Sequence, residues 1–432
     1  MKETRSLVHL SLISVYSNDL EIDELPITLQ KKFDEIELCC FFYSEKSIKL
    51  LSWCEGIAET AAENGHLGCL KYGHENGCRW NKNTCNKAAK YGHLECLKYA
   101  HENGCPWDEK ICELAAEYGH LECLKYAREN GCPWDEKICK LAAKNGNLEC
   151  LKYAIENGCS SDEWTCAFAC EKGNLDCLIY AVENGCPWDK KSLARCVYYK
   201  NLNCLKFLIQ KKCSLYGHLF SMACSAGSLE ILEFLFQNKC PWNEDACYHA
   251  VLNSHLDCLK YLYKIGYPIN KNICDIAAKY GELEILDWAH KNKFILRNFT
   301  CELAVENNNL NCLIYLNKNN CPWNSRICQV SAEKGNLDCL IYARENGCPW
   351  DNNTCLEAAK NGHLDCLKYA HENGCPWDKK ICELAAENGR LECLKYAHEN
   401  GCSWDKFTCY YAVQNRKFEC LKYAIENGCP QD

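Results

Sequence analysis

The residues Cys105-Pro106-Trp107-Asp108 return at Cys132, Cys186, Cys348 and Cys375, and with Asn in place of Asp at Cys240 and Cys321. Every spacing is a multiple of 27 residues. Weaker copies at Cys78, Cys159, Cys213, Tyr267, Phe294 and Cys402 keep the same register, and one period earlier Trp53 holds the Trp position. Fourteen units therefore run from Leu51 to Gly428 without insertion or deletion. A period this short marks one supersecondary element that cannot bury its apolar face alone. Such units are stable only when stacked on their neighbours.

The chemistry of one unit gives its local structure. In Cys105 to Gly131, Asp108 stands where a helix N-cap would, ahead of an apolar stripe of Ile111, Cys112, Leu114, Ala115 and Ala116 at helical spacing. Gly119 breaks this first helix. A second stripe follows in Leu121, Cys123, Leu124, Tyr126 and Ala127, and Gly131 suits a left-handed C-cap. Each unit thus reads as two short antiparallel helices, marginal alone and stable only when their stripes meet those of neighbouring units.

The run from Leu114 to Gly131, Leu-Ala-Ala-Glu-Tyr-Gly-His-Leu-Glu-Cys-Leu-Lys-Tyr-Ala-Arg-Glu-Asn-Gly, resembles the ankyrin repeat. The resemblance covers Leu51 to Gly428 and implies an all-α, ankyrin-like helix–turn–helix solenoid of about 14 stacked repeats. Ankyrin repeats have 33 residues and open with Thr-Pro-Leu-His. Here Lys110-Ile111-Cys112-Glu113 stands at those positions, and six residues are missing before the helix. The resemblance therefore implies finger loops shortened to a Cys-Pro-Trp-Asp turn. The 27-residue form is similar to ankyrin arrays of large DNA viruses of amoebae and of some protists.

Composition narrows the function. Net charge is −9 with Lys and Glu interleaved, unlike the concentrated basic face of a nucleic-acid binder. No apolar run reaches the roughly 18 residues of a membrane helix. Ser6 to Tyr16 has the hydropathy of a short signal core but lacks a basic cluster before it and a small-residue cleavage site after it. The chain is expected in the cytoplasm or nucleus, of a host cell if viral.

Most of the 41 cysteines fall on three positions of the unit, represented by Cys105, Cys112 and Cys123. Cys112 and Cys123 lie on apolar stripes, where a thiol acts as a small hydrophobe. Equivalent positions in adjacent units are expected at the helix-packing distance of roughly 8–10 Å, beyond the Cα reach of a disulfide. Pairing within a unit stays open. Reduced core thiols are the expectation. No cofactor or metal is expected: Cys39-Cys40 is the one tight pair, and the His of Gly-His-Leu-Glu (His66, His93, His120, His255 and His363) gives way to Asn, Ser, Glu, Arg or Lys elsewhere. The Trp column is expected to pack between neighbouring turns rather than to stack bases.

Binding is expected on exposed first-helix positions, which in one unit are Lys110, Glu113, Glu117 and Tyr118. The block from Cys159 to Asn320 loses Trp at Ser161, Leu215, Ile269 and Leu296 and gains Trp164, Tyr198, Tyr199, Tyr248 and Trp288. Two readings stand: a partner-binding segment with aromatic anchors, or drifted repeats with compensating packing. Phe234, Leu235 and Phe236 read as core substitutions and favour drift.

Residues 1–50 precede the array and residues 429–432 follow it as a tail. Glu24-Leu25-Pro26, then Leu29, Phe33 and Ile36, resemble the start of an F-box, which implies docking to the linker subunit of a cullin ubiquitin ligase. A helical cap over the first repeat is the other reading. With no Gly-rich phosphate loop, no convergent acid–base pair and no nucleophile elbow, the chain is expected to be a non-enzymatic protein–protein interaction scaffold, or else an F-box-type substrate adaptor. No nucleic-acid or membrane partner is expected.

Overall fold

A computed structural model describes residues 56–75, 77 and 79–430. The F-box-like residues Leu25, Pro26, Leu29 and Phe33 lie outside the described residues, as do Trp53 and the 431–432 end of the tail. Among the described residues the secondary structure is helical throughout, with 28 helices from Gly56–Glu63 to Phe418–Glu426 and no strand. They pair into hairpins in the register of the 27-residue period. The chain divides into two compact units, Met1–Ser214 and Leu215–Asp432.

The hairpin formed by Lys110–Tyr118 and Leu121–Glu129 shows how the sequence builds each repeat. The Asp108 carboxylate accepts the Lys110 N–H at 3.1 Å, satisfying one of the donors a helix start leaves open. Here the helix begins one residue beyond Glu109; in the Asp162, Asp189, Asp351 and Asp405 hairpins the Asp is itself the N-cap. Gly119, at φ 80°, turns the chain out of the first helix. The second helix closes with Gly131 at φ 81°, and the Cys132 N–H reaches back to the Ala127 carbonyl at 3.0 Å.

Ile111, Cys112, Ala115 and Ala116 are buried on the first helix, and Cys123, Leu124 and Ala127 on the second. The small Ala115 and Ala116 let successive first helices approach closely. Within each unit the first helix packs on its neighbouring first helices as well as on its own second helix. Burial of alternate stripes on both sides is what makes nine-residue helices stable.

The interval from Lys200 to Asn320 departs from this pattern in the backbone. Where Gly is absent, Lys200, Lys212, Lys239, Ser254, Lys293, Asn308 and Asn320 take the left-handed conformation at φ between 56° and 67°. The turns keep their geometry with residues that carry a Cβ, at a steric cost.

The cysteines occupy the expected core positions, and Cys112, Cys123 and Cys132 are all buried free thiols. Their contacts differ from expectation in one respect. The close approach is between two different columns twenty residues apart, such as Cys301 and Cys321 with sulfurs 3.0 Å apart. Cys301 is on the first helix and Cys321 follows the second, so the pair closes one hairpin across the boundary set by the Cys-Pro-Trp-Asp origin.

Phe236 is corrected by the structure. It is 37% exposed and lies parallel to Trp242, whereas Leu235 beside it is fully buried. On a short amphipathic helix, consecutive apolar residues cannot all face the core.

Candidate functional site

The first-helix surface of the unit Met1–Ser214 carries a row of residues at 27-residue intervals: Glu63, Lys90, Glu117, Lys144, Glu171 and Tyr198. The next position along the helix adds Tyr91, Tyr118 and Tyr199. Many of the charges on this face pair across adjacent repeats. Lys87 Nζ meets Glu63 at 2.8 Å, Lys137 Nζ meets Glu113 at 3.0 Å, and Arg195 pairs with Glu171. The ammonium of Lys87 and the Tyr91 hydroxyl hold the Glu63 carboxyl below its usual range. Exposed pairs of this kind contribute little to stability, ~0–1 kcal/mol each, but they fix the charge pattern of the face.

The tyrosines are left open to solvent. Tyr118 is 47% exposed, Tyr198 58% and Tyr199 45%. Tyr198 and Tyr199 meet edge to face with ring centroids 5.1 Å apart. Lys90 Nζ lies 5.1 Å from the rings of both Tyr91 and Tyr118, tying those two repeats together through a shared cation. The expected residues therefore fall into two groups. Lys110, Tyr118, Tyr198 and Tyr199 are exposed, and Glu117 is half-buried beside Tyr118. Glu113 is held by Lys137, and Trp164 is half-buried under Lys191 Nζ at 4.7 Å and the Arg195 guanidinium at 5.2 Å.

In the unit Leu215–Asp432, Tyr248 is exposed on its first helix and its hydroxyl lies 2.8 Å from that of Tyr280 one repeat on. That hydrogen bond and partial burial raise the Tyr248 phenol above its usual range. Phe299, Phe407 and Tyr410 are further exposed aromatic residues of first helices, which the reasoning from one unit's columns did not single out. The Tyr280 column could have been found from Tyr91, Tyr118 and Tyr199, which share its place in the period.

The Trp column packs between repeats. Trp107 stacks on His101 at 3.6 Å and meets the edge of Tyr126 at 6.2 Å, while Arg128 and Arg344 lie over Trp134 and Trp350 at 4.3 Å. The position read as a turn residue in Gly-His-Leu-Glu does more than turn the chain. His120 Nε2 lies 2.9 Å from the Lys90 carbonyl, and Asn147 donates at 2.8 Å to both the Ala116 and Glu117 carbonyls. These are last-turn carbonyls of the preceding first helix, which have no partner inside it.

Residues 112–155 match the family model described as ankyrin repeats in many copies, and residues 139–217 match that described as ankyrin repeats in three copies. This stretch of the chain is built of ankyrin repeats. Among solved structures, the human ASB11 ankyrin repeat domain is similar at 20% identity, covering 37% of this chain and 84% of that one, with a TM-score of 0.33. No curated protein sequence matches. Some contacts recur outside the matched stretch: Arg344 lies over Trp350 as Arg128 does over Trp134, at 4.3 Å in both. Among the described residues no cluster of three or more His, Cys, Asp or Glu is placed to hold a metal ion, and no helix is long and apolar enough to cross a membrane.

Proposed function

We propose that the chain is a non-enzymatic scaffold that binds a protein partner through the exposed face of its first helices. The observation that carries this reading is the Tyr198–Tyr199 pair. Two large aromatic side chains stand open to solvent at the end of a helix whose backbone is held rigidly by its repeat. Tyrosine brings large contact area with few rotatable bonds, and such residues dominate binding energy where they are buried by a partner. Tyr91 and Tyr118 extend the same row, Lys110, Glu113 and Glu117 supply a charged rim, and Trp164, half-buried under Lys191 and Arg195, adds a further first-helix aromatic. Tyr248 serves the corresponding role in the second unit.

The thiol-rich core suits a reducing compartment, cytoplasm or nucleus. The 27-residue form supports an array of the kind found in large DNA viruses of amoebae, acting inside the host cell. Neither the acidic charge balance nor the mixed surface supports a nucleic-acid or membrane partner. The second reading, a substrate adaptor docking a cullin-ligase linker subunit through Leu25, Pro26, Leu29 and Phe33, rests on the residues from Glu24 to Ile36. In that reading the array still selects the target.

Affinity capture from amoebal lysate tests both. Full-length chain, a chain beginning at Leu51, and a full-length Tyr198→Ala/Tyr199→Ala variant are compared. A protein recovered by the first two and reduced at least tenfold with the variant supports the scaffold. Equal recovery with the variant contradicts the tyrosine face. Cullin-ligase subunits recovered only by the full-length chain would select the adaptor reading.

A further inference from the structure

We propose that the hairpin cysteine pairs are disulfide-forming sites, so that peroxide converts the array from free dithiols into hairpins stapled one by one. The Cys301 and Cys321 sulfurs lie 3.0 Å apart, both buried, with Cys321 also donating to the Arg297 carbonyl at 3.1 Å. A disulfide needs the sulfurs to close by about 1 Å more, to ~2.05 Å. At seven further hairpins the equivalent thiols, again twenty residues apart as in Cys112–Cys132 and Cys328–Cys348, are close enough for one to shift the ionisation of the other.

The arrangement is selective. No cysteine hydrogen-bonds the thiols of Cys123 or Cys150, although both are buried in the same core. Cys186, which has a cysteine twenty residues before it at Cys166, instead donates to the Ser161 hydroxyl at 2.9 Å. Where the partner is lost the pair is simply absent: Phe220 stands twenty residues before Cys240, and Tyr267 twenty after Cys247. Cys196 also meets the thiols of Cys170 and Cys204, outside the twenty-residue spacing, so thiol proximity alone is not confined to the pairs; a link that closes a hairpin requires both columns.

Within a pair the two thiols are unequal. At Cys301–Cys321 the hydrogen bond from the helix thiol holds the turn thiol Cys321 below its usual range and pushes the helix thiol Cys301 above it, whereas at the last hairpin burial pushes the turn thiol Cys429 up to about 12. In some pairs the turn cysteine is also the more exposed, as with Cys321 at 5% against Cys301 at 0%, while in Cys112–Cys132 both are fully buried. At Cys301–Cys321 the turn thiolate is therefore the first to react. It attacks one peroxide oxygen, breaking the O–O bond; with a proton from solvent this gives a sulfenic acid and one water. The helix thiol then attacks that sulfur, forming the S–S bond and expelling the hydroxyl, which leaves as a second water with the thiol's proton. Two thiols are oxidised by two electrons and one hydrogen peroxide becomes two waters.

The test treats reduced, folded full-length protein with hydrogen peroxide, blocks remaining thiols after denaturation, and maps linked peptides by mass spectrometry. Links Cys301–Cys321 and Cys112–Cys132 are expected, each a loss of 2 Da reversed by dithiothreitol, with Cys123 and Cys150 still blocked as free thiols. Cys321→Ser should remove the Cys301 link and leave Cys112–Cys132 intact. Oxidation of Cys123 and Cys150 to the same extent as the pairs would overturn the proposal. So would oxidation of Cys321 to sulfinic or sulfonic acid without a link to Cys301.

Discussion

The imidazole of His120 covers Gly92 of the preceding repeat, so that a Cβ on Gly92 would fall 2.4 Å from His120 Nδ1. Gly92 also has φ 77°. Gly92→Ala is therefore expected to cost more than the ~1–2 kcal/mol of a left-handed alanine alone. Gly104→Ala provides the comparison, because φ is 81° there and nothing lies within 4 Å of the added carbon. Urea unfolding of both variants should show the larger loss at Gly92. Adding His120→Ala should recover part of it, a non-additivity expected of residues in contact.

Lys239 and Lys293 occupy the closing position that Gly131 fills elsewhere, at φ 56° and 67°. Replacing either by Gly relieves the Cβ strain but frees the unfolded chain. The first effect is the larger at a left-handed position, and a gain of about 1 kcal/mol is expected for each. A chemical-denaturation midpoint that falls in both variants would contradict this.

Thr165 is fully buried and its hydroxyl has no hydrogen-bond partner, at a position where Ile111, Ile138 and Ile381 pack in other repeats. An unsatisfied buried hydroxyl costs about 1–3 kcal/mol. Thr165→Val keeps the shape and removes that cost, so the unfolding midpoint should rise. Thr165→Ser, which keeps the hydroxyl and loses a methyl, should lower it.

Burial pushes the thiol of Cys150 up to about 11 and that of Cys366 to about 12, with Cys123 at about 12 and Cys393 at about 11, all from a usual value of 9.0. A group raised on folding stabilises the folded state fully below its unfolded pKa. That contribution is lost as pH climbs from about 9 towards the folded value. Each such thiol removes ~1.4 kcal/mol per pH unit in that window, because the unfolded chain sheds a proton that the folded one keeps. Stability under reducing conditions is expected to fall steeply between pH 9 and 11, and Cys150→Ala with Cys366→Ala should flatten the slope. A pH-independent midpoint across that window would refute the assignment.

The 27-residue register, the two helices of each hairpin, the Asp caps and the glycine turns were legible because each is set by residues close in sequence. Asp108 to Lys110 spans two residues, and Gly131 caps the helix it ends. Contacts that cross a hairpin or a repeat were not. Cys112 meets Cys132 because the second helix folds back along the first, and His120 meets Lys90 because one repeat stacks on the next. Neither separation is visible in a single unit's periodicity. The tyrosine face was partly legible: Tyr118, Tyr198 and Tyr199 stand at positions outside the apolar stripe, but Trp164 is covered by Lys191 and Arg195 of the following repeat. Phe236 shows the same limit, since apolar character alone does not say which way a side chain faces.

Site-specific photo-crosslinking tests the central claim most directly. A photoreactive phenylalanine is placed at Tyr198 or Tyr118 on the first helices, or at Glu122 on a second helix, and the folded protein is irradiated in cell lysate. The account predicts one discrete protein adduct from Tyr198 and Tyr118 and none from Glu122. A discrete adduct from Glu122 alone, with none from either tyrosine, would contradict it.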